Sequence, residues 1–139
     1  MAHTSSMGPN VRARAWWEET LTQGTPLVMP WAVLCGYVRL MTNSRTLMFP
    51  ITVETAEKDV RGWLALPQLT IIEPGEKHAD LFFTLLRSAG TGGNLTSDAH
   101  LAALAMEYRA EVATCDTDFA RFKGVRWFDP LDHSPRRGK

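Results

Sequence analysis

The sequence is short of several things that would point quickly to a function. It has only two cysteines, Cys35 and Cys115, far apart and in no CxxC pair. With that spacing and their apolar neighbours, both read as buried free thiols. Sparse, unpaired cysteine also fits a reducing, cytoplasmic setting. No apolar run approaches the ~18 residues that a membrane span requires. Met1–Asn10 lacks the apolar core of a secretory signal, so the expectation is a soluble protein without a membrane partner. Excess charge is absent too: fifteen basic residues balance fifteen acidic ones. A nucleic-acid surface would therefore have to be a local patch. There is no internal repeat, and Gly92-Gly93 lacks the Lys-Ser/Thr of a phosphate-binding loop, so it reads as a turn into a helix.

What is present is an ordinary globular composition, 45% hydrophobic and 22% charged over 139 residues. A chain of this length makes one domain with a substantial core. The expected organisation is a single domain over residues 1–131, followed by a polar, basic tail, 132–139, carrying Arg136, Arg137 and Lys139.

Met1–Pro9 reads as loop. Asn10 is placed to cap a helix through Trp16, Trp17 and Leu21 that ends near Gly24. Trp16 and Trp17 lie about 100° apart on it, so one packs in the core and the other at its edge or against a partner. Pro26–Pro30 is a short apolar run of the kind found in buried parallel strands. A helix over Trp31–Thr42 carries Ala32, Val33, Leu34, Tyr37, Val38, Leu40 and Met41 around most of its circumference, which predicts a largely buried helix. Thr52, Glu54 and Thr55 announce another that stops before Pro67, and Leu69–Ile72 is the next strand. Glu76–Ala89 is amphipathic, with Ala79, Phe82, Phe83 and Leu86 on its apolar side. Helix Ser97–Tyr108, strand Glu111–Thr114, a helical turn over Asp118–Phe122 and strand Val125–Phe128 complete the chain. Strands separated by helices imply right-handed crossovers and a parallel α/β sheet.

Sites in such sheets form beyond the carboxyl ends of the strands, and Thr114-Cys115-Asp116 sits at one. Asp98 opens the preceding helix, and Asp118 follows two residues after Asp116. Each acid alone has a plain structural role, as a first-turn helix charge or an Asx-turn former. Together on consecutive elements they suggest an oxygen-ligand site for a hard divalent cation, because a cation relieves the repulsion of clustered carboxylates. His100 points about 200° away from Asp98 and reads as a surface or satisfied histidine. Glu76, His78 and Asp80 scatter around their helix and read as a solvated face. Arg121, Lys123 and Arg126 are the candidate basic rim for RNA, set against the plainer reading of a solvated face.

The stretches Thr91-Gly92-Gly93-Asn94-Leu95-Thr96-Ser97-Asp98-Ala99-His100 and Thr114-Cys115-Asp116-Thr117-Asp118-Phe119 resemble the second half of a VapC-type toxin, a PIN-domain ribonuclease of type II toxin–antitoxin modules. The likeness extends to Arg14-Ala15-Trp16-Trp17-Glu18, Pro30-Trp31-Ala32-Val33-Leu34 and Val125-Arg126-Trp127-Phe128-Asp129-Pro130. It implies a three-layer α/β/α domain with a central parallel sheet and Mg²⁺- or Mn²⁺-dependent cleavage of RNA. It also implies a VapB-type antitoxin and a homodimer. The family roles fall on Asp98 and Asp116 as metal ligands, on Asp118 as an accessory acid, and on Thr114 as the adjoining hydroxyl. Two departures stand out. The family begins with an apolar strand bearing a further ligand Asp, which nothing before Trp16 resembles. Ala2-His3-Thr4 resembles the loop after that strand, so the expectation is a chain that starts just past it, destabilised and impaired. The Glu that many members carry on the helix after the second strand is matched by Gly36. The alternative function is a catalytically inactive PIN-like protein that binds an antitoxin or another protein.

Overall fold

The computed structural model describes residues 9–132, with side chains from Arg12 onward. The basic tail from residue 133, the family likeness at Ala2-His3-Thr4 and the expected loop up to residue 8 lie outside those residues; Asn10, expected to cap the first helix, falls within it by its backbone, and its side chain is outside the described set. Five helices and four short strands follow in the order α1 (Pro9–Thr22), β1 (Leu27–Met29), α2 (Trp31–Thr42), α3 (Val53–Leu64), β2 (Leu69–Ile71), α4 (His78–Ala89), α5 (Thr96–Glu107), β3 (Val112–Ala113) and β4 (Trp127–Phe128). Short 3-10 turns precede α5 at Gly93–Leu95 and follow β3 at Thr117–Arg121. The helix over residues 31–42 has the bounds that its flanking proline and Asn43 predict.

Packing sorts the chain into two compact units, residues 25–73 and residues 9–24 with 74–132. In the first, β1 and β2 pair in parallel with Leu27 opposite Leu69 and Met29 opposite Ile71. Two helices make the crossover that a parallel pair needs. The Thr52 hydroxyl accepts from the Thr55 amide at 3.1 Å and caps α3, satisfying one of its free N–H groups. Leu34, Ala56, Val60, Leu69 and Ile72 are the buried apolar residues of this unit. Tyr37 packs edge-on to Trp63 with centroids 4.7 Å apart and donates to Asp59 at 2.6 Å.

The expected burial of α2 does not occur. Leu34 is its one buried residue, while Trp31 is 53% exposed and Val33, Cys35 and Leu40 also face solvent. An all-round apolar sequence needs cover on every side, and this unit supplies it on one. Both cysteines, expected to be buried, are exposed.

In the second unit β3 and β4 pair in parallel, Val112 opposite Trp127 and Ala113 opposite Phe128. Leu85, Leu95, Ala99, Ala102, Ala103, Phe119 and Phe122 form its core, with Leu81, Phe82, Leu86 and Val112 packed around them. Gly90 ends α4 at φ +83°, and its amide donates to the Leu86 carbonyl at 3.0 Å, a left-handed stop that glycine adopts without strain. The inner side of α4 is Leu81, Phe82, Leu85 and Leu86. Phe83 and Ala79, expected there, are exposed. Trp16 and Trp17 of α1 are both half-buried, and Trp16 meets Phe128 edge-on at 6.1 Å.

Candidate metal centre

Asp98 enters on the first turn of α5, where a carboxylate also complements the unpaired amides and the helix dipole. The helix can carry it close to its neighbours because Ala99, Ala102, Ala103 and Ala105 are all buried and small. Leu95, 3% exposed, anchors the turn just before it. Asp98 is therefore held by a packed helix, half-buried itself.

The other two acids come from the loop after β3. The ladder bond from the Thr114 amide to the Phe128 carbonyl, 2.9 Å, is the last on that strand. The Thr114 hydroxyl then accepts from the Asp116 amide at 3.0 Å, and Asp116 Oδ1 accepts from the Asp118 amide at 2.9 Å. Asp116 thereby caps the 3-10 turn Thr117–Arg121, and Phe119 locks the turn into the core. Side chain and backbone alternate in holding the loop, so its acids are placed by local bonds.

The result is three carboxylates, Asp98, Asp116 and Asp118, whose nearest oxygens all lie within 4.8 Å of one another. Asp116 and Asp118 are exposed. Partial burial pushes the Asp98 carboxyl above its ordinary value, and the Asp116 charge, a side-chain hydrogen bond with Asp116 and the Asp118 charge add to the rise. Hard oxygen donors that repel one another are a donor set that suits Mg²⁺ or Mn²⁺. Thr114, half-buried, orders the loop through its hydroxyl.

Arg121, Lys123 and Arg126 are exposed. Arg121 donates to the Ala89 carbonyl at 3.2 Å and Arg126 to the Arg109 carbonyl at 2.8 Å. Among the described residues no carboxylate forms an ion pair with any of the three. A Cβ built on Gly36 meets nothing within 4 Å, so the site of the family's Glu is sterically open.

A second cluster escapes sequence reasoning. His78 is not part of a solvated face: its Nδ1 lies 2.7 Å from Glu107 and its Nε2 lies 3.0 Å from Nδ1 of His100. Glu76 and Asp80 are exposed, as expected. Burial holds the His100 imidazole below its ordinary pKa, the neighbouring His78 lowers it further, and Glu107 opposes both. His78 and Glu107 belong to different helices, and only the packing of α4 on α5 brings them together. Local spacing carries no signal for them.

Comparison with known proteins identifies the family. The PIN domain pattern matches residues 8–125, and the chain belongs to the PIN domain family. It is 40% identical over 120 residues to Ribonuclease VapC33 of Mycobacterium tuberculosis, covering 86% of this chain and 84% of that protein. Ribonuclease VapC37 of the same organism is 41% identical over 115 residues, 83% of this chain and 80% of the relative. Ribonuclease VapC43 is 36% identical over 131 residues, 94% and 89% respectively. Within the PIN domains the chain thus falls with the VapC-type ribonucleases, and the α/β/α fold class expected from the resemblance is the family's. No helix among the described residues is long and apolar enough to cross a membrane.

Proposed function

We propose that this chain is the toxin of a type II toxin–antitoxin pair, a metal-dependent endoribonuclease that cuts RNA phosphodiester bonds. Asp98 and Asp116 are its metal ligands, Asp118 is an accessory acid, and Thr114 orders the loop that presents them. The convergence of three carboxylates from α5 and the β3 loop carries this reading, and kinship with the VapC ribonucleases supports it.

A bound Mg²⁺ or Mn²⁺ supplies Lewis acidity and a water of lowered pKa. The protein's own part is placement. α5 holds the Asp98 carboxylate on a rigid, alanine-lined helix, while the Asp118 amide fixes one oxygen of Asp116. Arg121, Lys123 and Arg126 would neutralise backbone phosphates, a sequence-independent role consistent with their exposure. A VapB-type antitoxin, an RNA substrate and a second copy of the chain are the proposed partners, in the cytoplasm. Trp31, Leu40, Met48 and Phe49 are large apolar side chains left exposed, which a protein partner would cover.

The test combines growth on induced expression with cleavage of RNA by the purified chain in Mg²⁺ and in EDTA. Arrest and Mg²⁺-dependent cleavage, both abolished by Asp98→Asn in a folded protein, are the expected result. A chain that never cleaves RNA, with a growth effect unchanged by Asp98→Asn, would instead establish the inactive, partner-binding alternative.

A further inference from the structure

The cluster joining α4 to α5 is ordered by its hydrogen bonds. Glu107 Oε2 accepts from the Gly75 amide at 2.8 Å, and Oε1 faces His78 Nδ1 at 2.7 Å. A carboxylate can only accept, so His78 carries a proton on Nδ1, and in the neutral ring Nε2 is then a lone pair. That lone pair points at His100 Nδ1, 3.0 Å away, which must then carry the proton between them. The ring of His78 lies nearly parallel to Phe82, 13° between planes and 6.1 Å between centroids, while His100 stands at 73° to it. His78 is mostly enclosed, its side chain 14% exposed, and that of Glu107 is 9% exposed.

Two imidazole nitrogens that converge, one backed by a buried carboxylate on its far nitrogen, reproduce the carboxylate–histidine arrangement that orients metal-binding histidines. We propose that His78 Nε2 and His100 Nδ1 form a second cation site, selective for transition metals of the Zn²⁺ class and chemically distinct from the carboxylate centre. Two ligand nitrogens at ~2.0–2.1 Å from a tetrahedral Zn²⁺ stand about 3.3 Å apart, so the present 3.0 Å must open by a few tenths of an ångström and each ring must turn by about 35° to aim its lone pair at the ion. The proton between the rings moves to His100 Nε2. Both imidazoles stay neutral, no proton is released, and solvent completes the coordination. Nitrogen donors favour Zn²⁺, Co²⁺ or Ni²⁺ strongly over Mg²⁺, whereas the three aspartates also accept Mg²⁺. A bound ion would clamp the start of α4 to α5.

The experiment titrates the purified 139-residue chain with Zn²⁺ or Co²⁺ in excess Mg²⁺, which saturates the carboxylates, by calorimetry and by visible absorption of Co²⁺. One equivalent should bind. His78→Phe and His100→Asn should each weaken it at least tenfold, Glu107→Gln by about 10–100-fold, and Asp98→Asn should leave it unchanged. If a histidine variant does not fold, ¹⁵N imidazole spectra of the wild type decide instead: on adding Zn²⁺ the His78 Nε2 and His100 Nδ1 signals shift and His100 changes tautomer. Absence of binding in excess Mg²⁺, unchanged imidazole signals, retention of binding through His3 or His133 by a folded variant that combines His78→Phe with His100→Asn, or its loss in Asp98→Asn would each overturn the proposal.

Discussion

α5 and α2 are helices of equal length, twelve residues each with seven and nine apolar residues, yet they have opposite fates. α5 buries Ala99, Ala102, Ala103, Leu104 and Ala105, whereas α2 buries Leu34 alone and exposes Trp31 and Leu40. The difference is size. Alanines let neighbouring elements close over α5 from several sides, so modest side chains vanish from solvent. The bulky residues of α2 are too many for one neighbouring layer to cover. Apolarity tells that a helix seeks cover, and the tertiary structure decides whether it finds any.

The largest effect that should sharpen this contrast is loss of the residue wedged beneath α5. Phe119→Ala removes a ring that is 2% exposed, and urea unfolding should show a loss of about 3–5 kcal/mol. On the same helix Asp98→Asn should reduce RNA cleavage at least ~100-fold, because even groups that merely support metal ligands are worth about 10–100-fold. Overpacking should separate the helices next. Ala103→Leu is expected to cost about 1–3 kcal/mol, while Leu40→Lys on α2 should stay within about 0.5 kcal/mol in the isolated chain. A cost above 2 kcal/mol for Leu40→Lys would break the comparison.

A pH effect of the same site is smaller. The Asp98 carboxyl is held above its ordinary value of 3.8, first by burial and then by Asp116 and Asp118. The folded state binds that proton more tightly than the unfolded chain does. Its stabilising contribution is therefore full below the ordinary value and is lost as pH rises through the raised one. In EDTA, Asp98→Asn should raise the melting temperature more at neutral pH than in acid, and Mg²⁺ should shrink the difference by stabilising the wild type. The smallest effect is expected at the basic rim: Arg126→Gln should lower the salt dependence of RNA binding by about 0.7 in slope, one phosphate contact on a single strand. Its exposed guanidinium bonds only a carbonyl, so stability should barely change.

Much of the fold was legible because its signals are local. Pro30 and Asn43 bracket α2, Thr52 caps α3, and Gly90 stops α4. The three acids were legible as a group because they sit on consecutive elements, with the Thr114–Asp118 loop held by its own side chains. The exposure of Phe83, Cys35 and Cys115 was not legible, since which flank of a helix or loop is covered depends on distant segments. Nor was the Glu107–His78–His100 chain, whose members lie on two helices and meet only when those helices pack.

The sequence by itself determined the order of helices and strands, their caps and stops, the membership in the PIN domain family and the short-range geometry around Asp116. Hydrogen bonds and dihedral preferences within a few residues suffice for the local features, and the family is carried by motifs readable along the chain. Only the tertiary structure decided that Asp98 stands within a carboxylate's reach of Asp116 and Asp118, that α2 keeps its tryptophan in solvent, and that two histidines face one another over Glu107. Those outcomes depend on which surfaces the core brings together, and a core is a long-range arrangement set by volume and cover.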